Sequence, residues 1–219
     1  MNMNFERARF NMVEQQIRPW EVLDPRVLEA LETVHREDFV PNRYRKLAFA
    51  DLEIPLTHGQ CMMRPKVEGR LLQAVQLKAD ETVLEIGTGS GFITACLALL
   101  ASHVVSVDCH QDLLDEAGRR LKDHNSENLE LHHGDVMRGW QPELAHDVVV
   151  VTGSVPSIPE FFRGWVNPGG RLFVITGDSP AMQARLLTRI GVSEWREESL
   201  FETDLVRLEN SEPAAGFQF

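Results

Sequence analysis

The rhythm of apolar and polar positions changes twice along the chain. Up to about position 46, apolar residues recur at helical spacing. Phe5, Phe10, Met12, Val13 and Ile17 form a loose stripe that Pro19 ends. Val27, Leu28 and Leu31 share one face of a second helix, with Asp24 placed as its cap and Pro25 at its first position. Pro41-Asn42 opens a short third segment. Over 51–65 neither rhythm holds; two prolines, a glycine and mixed polarity predict an irregular loop. Helical spacing resumes over 66–77 through Val67, Leu71, Leu72 and Val75.

From Thr82 short apolar runs alternate with amphipathic stretches. Strands are expected at 82–87, 103–108, 129–133, 147–152 and 171–176. Helices are expected at 92–101, 111–122, 157–166 and 179–190, the last two capped by Ser157 and Ser179. The run 147–152 is continuously apolar, as a strand buried on both faces should be. Two further strand-like runs, 194–200 and 203–208, are close enough to form a hairpin. This alternation predicts an α/β fold: a doubly wound, mostly parallel seven-stranded sheet with an antiparallel ending, preceded by an N-terminal helical cap. The 219 residues fit one domain with a full core. Within it the cap and loop occupy 1–78, the ligand-binding core 79–209, and a frayed tail 210–219.

Chemistry enters where the first strand ends. Glu85-Ile86-Gly87-Thr88-Gly89-Ser90-Gly91 joins that strand to an apolar helix, the opening of a nucleotide-binding βα unit. The spacing is G-x-G-x-G rather than G-x-G-x-x-G, and no Lys-Ser or Lys-Thr follows, so a phosphate cradle is not indicated. The E-x-G-x-G-x-G form is similar to the loop of S-adenosylmethionine-dependent methyltransferases. S-adenosyl-L-methionine has no phosphate and carries a sulfonium cation, which suits an acidic loop. Glu85, Gly87, Gly89 and Gly91 are then expected to hold the methionine end, with Thr88 and Ser90 of the same loop also binding the cofactor.

Ligands of such sheets lie beyond the carboxyl ends of the strands. Asp108, about 20 residues past the glycine loop, is placed to accept both ribose hydroxyls. Asp135 is placed to accept the adenine amine, with the Val136 backbone against the ring. Thr152 ends the fourth strand, where methyl transfer is expected. Cys96 reads as core. Cys109 is a candidate for the adenosine pocket, with an inert buried thiol as the alternative. His103, His110, His124, His132 and His133 lack metal-ligand spacing, so no metal is expected.

Charge narrows the partners. With 22 basic and 33 acidic residues the formal net charge is -11, which argues against nucleic acid and anionic membrane surfaces. The N-terminus lacks the apolar core of a signal peptide, and no apolar run approaches the roughly 20 residues that span a bilayer. Three cysteines form no framework and no C-x-x-C pair. A cytoplasmic location is expected.

Several stretches together resemble one family over most of the chain. Met12-Val13-Glu14-Gln15-Gln16, Asp24-Pro25-Arg26-Val27-Leu28-Glu29-Ala30 and Asp38-Phe39-Val40-Pro41 lie in the cap. Ile54-Pro55-Leu56-Thr57-His58-Gly59-Gln60 lies in the loop. Then follow the glycine motif, His133-Gly134-Asp135, Val150-Val151-Thr152-Gly153, Ile158-Pro159 and Gly169-Gly170. This pattern resembles the protein-L-isoaspartate O-methyltransferases. The resemblance implies a Rossmann-like methyltransferase fold, methylation of an isoaspartyl carboxylate in protein repair, and a substrate loop of Thr57, His58, Gly59, Gln60, Cys61, Met62, Met63 and Arg64.

That loop departs from the family's Gly-Gln-Thr-Ile-Ser-Gln-Pro. Cys61 stands at the threonine and Met63 at the serine, which in the family lies beside the transferred methyl and the substrate carboxylate. No catalytic residue is therefore assigned. A carboxylate with a pKa of about 4 is ionised at neutral pH and needs no general base. Losing one orienting hydrogen bond to a charged group costs about 1.5–3 kcal/mol, on the order of ten- to a hundredfold in rate. Methyl transfer to a peptide or protein isoaspartyl acceptor is the expected function. The alternatives are a small-molecule acceptor, suggested by the Met62-Met63 wall, and a non-catalytic S-adenosylmethionine-binding protein. Arg64 offers a cation to a substrate carboxylate, or is a surface residue.

Overall fold

The computed structural model describes residues 4–124 and 126–212. The expectation of a frayed tail falls largely on 213–219, which lie outside the described residues.

Helix α1 (Phe5–Met12) continues through a π turn (Val13–Ile17) and a 3-10 turn (Arg18–Trp20) that contains Pro19. Helix α2 (Pro25–Thr33) is capped by the Asp24 side chain, which accepts the Arg26 N–H. Helix α3 (Arg36–Phe39) and a 3-10 turn (Asn42–Leu47) follow. The stretch read as irregular carries a small antiparallel hairpin of β1 (Ile54–Pro55) and β2 (Cys61–Met62), and α4 (Pro65–Val75) begins at its end.

The alternating half gives β3 (Thr82–Ile86), α5 (Phe92–Leu100), β4 (His103–Asp108), α6 (Gln111–Asp123) and β5 (Leu129–His133). Next come β6 (His146–Val155), α7 (Glu160–Gly164), β7 (Val166–Thr176), β8 (Met182–Arg189) and β9 (Trp195–Thr203). The main sheet has seven strands in the order β5-β4-β3-β6-β7-β8-β9. Pairings from β5 to β7 are parallel and the last two are antiparallel.

The C-terminal elements correct the sequence reading. The helix expected at 179–190 is strand β8. Its residues are helix-compatible by propensity, but pairing with β7 on one side and β9 on the other satisfies the backbone and wins. The helix expected at 157–166 shrinks to α7, with Pro159 rather than Ser157 at its N-cap, because Val166 already pairs with His146 in the sheet. The run 203–208 is not a hairpin strand. Instead the segment crosses the end of β6: Ser154 N–H donates to Val206 O at 2.9 Å, and Leu208 N–H donates to Ser154 O at 2.9 Å.

Each sheet face has its own apolar cluster. On one, Met12, Ile17 and Leu31 of the cap and Leu71 and Leu72 of α4 pack with Val83, Val148 and Phe173. On the other, Phe162 of α7 packs with Leu84, Val149, Val151 and Leu172. The cap is thus part of the main core. The chain leaves β3 toward β4 and β5 and later returns to β6 on the opposite side. That reversal opens a crevice at the carboxyl ends of β3, β4 and β6. Among the described residues no helix is long and apolar enough to cross a membrane.

Candidate active site

The crevice holds a cleft of about 600 Å³. Gly87 and Gly89 follow β3 into it, and Asp108, Cys109 and His110 follow β4. Gly134, Asp135 and Val136 follow β5, and Thr152 and Gly153 lie in the outer part of β6. A second pocket of about 310 Å³ adjoins it, lined by Glu85, Thr88, Ser90, Met62, Met63 and Glu68. Cys61, Gly87, Gly89 and Thr152 line both, so the two form one bipartite site.

The glycine turn is required by its neighbours. Gly87 has φ +99°, and a Cβ there would collide with Thr152 Oγ1. That hydroxyl is 2.9 Å from Ile86 O and 2.5 Å from Gly87 O, joining the ends of β3 and β6. Gly91 does not line the site; it begins α5 and packs on Ala117 of α6.

The acids at the strand ends are held by backbone. Asp108 is nearly buried; its Oδ2 accepts Gly89 N–H at 2.8 Å and its Oδ1 accepts His110 N–H at 2.9 Å. Each oxygen keeps acceptor capacity for a further donor. Asp135 Oδ1 accepts Met137 N–H at 2.8 Å, and its Oδ2 accepts from Asn210 Nδ2 at 2.6 Å.

Glu85 is fully buried on β3. Its Oε2 accepts from Thr94 Oγ1 and Ser106 Oγ, each at 2.6 Å, while Oε1 has no partner. Burial pushes the Glu85 carboxyl up to about 8; the two hydroxyls oppose the rise and the Asp108 charge adds to it. At neutral pH the folded protein therefore holds this carboxyl mainly protonated.

The loop divides its residues between roles. Gln60 and Cys61 line the cleft, and Cys61, Met62 and Met63 line the deeper pocket. The two methionines are buried in the apolar cluster rather than exposed on an open wall. Thr57, His58 and Gly59 lie outside the cavity lining. Left-handed backbone at His58 and Gly59 makes the hairpin turn. His58 Nε2 lies 2.8 Å from Asp112 Oδ1, Thr57 Oγ1 donates to Asp112 Oδ2 at 3.3 Å, and the His58 ring stacks on His110 at 4.0 Å. Arg64 lines neither pocket and lies 3.6 Å from Glu53.

Burial pushes the Cys61 thiol up to about 12 and the Cys109 thiol up to about 11, with carboxylate charges adding to both. Both are neutral thiols at pH 7, so neither supplies a thiolate nucleophile. Among the described residues no group of three or more His, Cys, Asp or Glu is arranged to hold a metal.

Sequence reasoning missed three contributors. His110 lines the cleft, and its position two residues after Asp108 was the available signal. Val206, Leu208 and Glu209 line it from the C-terminal segment, far from any motif. The buried pair Arg36–Glu68 had no signal beyond two charges in otherwise amphipathic helices.

Known proteins resemble this chain in sequence and in fold. Residues 7–210 match the family model described as protein-L-isoaspartate(D-aspartate) O-methyltransferase. A relative from Rhodopseudomonas palustris, protein-L-isoaspartate O-methyltransferase 1, is 37% identical over 94% of this chain and 84% of its own. A protein-L-isoaspartate O-methyltransferase from Brucella anthropi is 35% identical over 90% of this chain and 91% of its own. One similar solved structure is a Plasmodium falciparum protein assigned as a protein-L-isoaspartate O-methyltransferase, in complex with S-adenosyl-L-homocysteine. It has a TM-score of 0.81 at 17% identity, covering 95% of this chain and 100% of that one, which establishes the fold. The chain belongs to the protein-L-isoaspartate(D-aspartate) O-methyltransferase family, whose methyl donor is S-adenosyl-L-methionine.

Proposed function

We propose that this chain transfers a methyl group from S-adenosyl-L-methionine to the free carboxylate of an isoaspartyl residue in a polypeptide, and that the bipartite cleft is where it does so. The observation that carries this reading is the set of acids at the cleft: Asp108 and Asp135 at strand ends, with the unpartnered Glu85 oxygen in the deeper pocket. Among the described residues neither lining includes a lysine or arginine. Such a site suits a ligand with cationic ammonium and sulfonium groups. In this reading Glu85 accepts from the ammonium, and Gly87, Thr88, Gly89 and Ser90 border the methionine end. Asp108 accepts from the ribose hydroxyls. Asp135 accepts from the adenine amine in competition with Asn210, and Val136 contacts the ring.

When bound, the donor supplies an electrophilic methyl on a cationic sulfur. An acceptor carboxylate is already ionised at neutral pH, so the protein need not remove a proton. The work left to its residues is placement of the acceptor and exclusion of water. Gln60, Cys61, Met62 and Met63 form the side of the site open to that role. The net charge of -11 and the three free cysteines support a cytoplasmic setting without nucleic-acid or membrane partners.

One observation favours a second reading. Met63 brings a thioether, which donates no hydrogen bond, to the place of the family's serine. A small-molecule carboxylate is the acceptor on that reading. Steady-state methylation of an isoaspartyl peptide by the wild type and by Met63→Ser separates the two. Turnover by both is expected, with Met63→Ser roughly tenfold or more faster through the regained hydrogen bond. Turnover by neither would refute the peptide acceptor.

A further inference from the structure

Arg36 opens α3 with its side chain fully buried. Its Nε donates to Glu68 Oε2 at 2.8 Å and its Nη2 to Glu68 Oε1 at 3.2 Å. Nη1 donates to Ala48 O at 2.6 Å, and Nη2 donates to Met63 O at 2.7 Å. The guanidinium also lies 5.6 Å from the centroid of the Phe92 ring. Met63, Glu68 and Phe92 come from the loop, α4 and α5, and all three line the deeper pocket. Arg36 lies behind that lining and touches each of them.

Burying two charges is expensive, and apolar residues of similar volume often hold a core as well or better. What an apolar pair cannot do is fix a backbone carbonyl at a set distance from α4 and α5. Packing of Met62 and Met63 in the apolar cluster, the β1–β2 pairing and the α4 hydrogen bonds to Arg64 O also hold the loop, but among these only the Arg36 bond ties the Met63 carbonyl to α4 and α5 at once. The hydrogen bonds from Leu56 N to Gln60 O and from Gln60 N to Thr57 O are internal to the hairpin turn. The contacts of Thr57 and His58 with Asp112 are solvent-exposed, where competing water weakens them. Burial raises the Glu68 carboxyl pKa, and the Arg36 charge and hydrogen bonds pull it back toward ionisation. Both oxygens of Glu68 accept from Arg36, so the guanidinium has one orientation, and its remaining N–H groups reach Ala48 and Met63.

We infer that Arg36 is a positioning residue: through the Met63 carbonyl it sets the acceptor loop against the methionine-end pocket. The residue at 63 has no side-chain donor, so the loop is registered by its backbone. The inference rests on the reading of 57–64 as the acceptor-facing loop.

The test is Arg36→Lys, which keeps a charge for Glu68 but loses the fork that reaches Met63. Three quantities are read: amide hydrogen exchange over 57–63, the Kd for S-adenosylmethionine, and kcat and KM on an isoaspartyl peptide. Loop exchange is expected to accelerate roughly tenfold or more. The cofactor Kd is expected to stay within about twofold, while kcat/KM for the peptide falls roughly tenfold or more. Unchanged loop exchange, unchanged kcat/KM, or a cofactor Kd that weakens in step with kcat/KM would each overturn the inference. If Arg36→Lys does not fold, the double substitution Arg36→Met/Glu68→Met removes both buried charges; accelerated loop exchange there supports the tether, and wild-type exchange overturns it. A wild-type enzyme that ignores the peptide while loop exchange responds to the substitution would refute the isoaspartyl reading and leave the tether standing.

Discussion

At the level of single residues, the site is built from carboxyl groups in three environments. Asp108 is pinned by two backbone N–H groups and offers its remaining acceptor capacity to the cleft. A hydrogen bond to a charged group is worth about 1.5–3 kcal/mol. Asp108→Ala should therefore weaken S-adenosylmethionine binding at least tenfold by calorimetry, about 1.4 kcal/mol; an unchanged Kd would remove Asp108 from the ribose role. Asp135 shares its carboxylate between the Met137 N–H and Asn210. Glu85 differs because it is buried, and burial raises its carboxyl from 4.5 to about 8. Below about pH 4.5 folded and unfolded chains both hold the proton. Between 4.5 and about 8 the unfolded chain releases it first, so stability falls as pH rises through this window. The slope attributable to one group is at most about 1.4 kcal/mol per pH unit. Denaturant titrations of the wild type and Glu85→Gln across this window should differ by that falling component, and parallel curves would contradict the raised value. A cationic ligand beside Glu85 favours the carboxylate. Binding at pH 7 should then release a fraction of a proton, visible as a calorimetric enthalpy that depends on buffer ionisation and absent in Glu85→Gln.

The elements around the cleft show what the amino-acid pattern could and could not reveal. Strands β3, β4 and β5 and helices α5 and α6 were legible because apolar periodicity and the glycine turn are local signals. Asp108 and Asp135 followed from them, since a strand end is a place in sequence as well as in space. Strand β8 was not legible. Met182-Gln183-Ala184-Arg185-Leu186-Leu187 fits a helix by propensity, and only its two neighbours in the sheet make it a strand. The segment after β9 failed for a related reason. Leu205, Val206 and Leu208 look like a strand, but the segment bonds to Ser154 at the outer end of β6, and Val206 and Leu208 line the cleft. Gly153 permits that approach: a Cβ there would lie 2.7 Å from Leu208 Cδ2 and 3.3 Å from Leu208 N. Gly153→Ala should lower stability by about 1–3 kcal/mol through overpacking. It should also weaken cofactor binding, because Leu208 lines the site. Chemical denaturation and calorimetry check the two effects separately, and wild-type values in both would show that the segment adapts freely.

Across the whole molecule, one apolar core unites the cap with the sheet, and the acceptor loop is strung between them. The buried Arg36–Glu68 pair lies at that junction. It was invisible in the sequence because its partners are 32 positions apart and two of the guanidinium's acceptors are backbone carbonyls. The family, the donor and the sheet were readable from motifs, whereas the local reason for the acceptor's placement was not. Met63 removes one orienting hydrogen bond from the loop. The fold supplies a different means of orientation, through backbone held from beneath. On this view the acidic cleft delivers a methyl group to an isoaspartyl carboxylate despite the missing serine. A single-turnover reaction decides the matter, with methyl-labelled S-adenosylmethionine and either an isoaspartyl peptide or its normal aspartyl isomer, scored as base-labile methyl ester. Label is expected on the isoaspartyl peptide alone; label on neither peptide, or equally on both, would contradict this assignment.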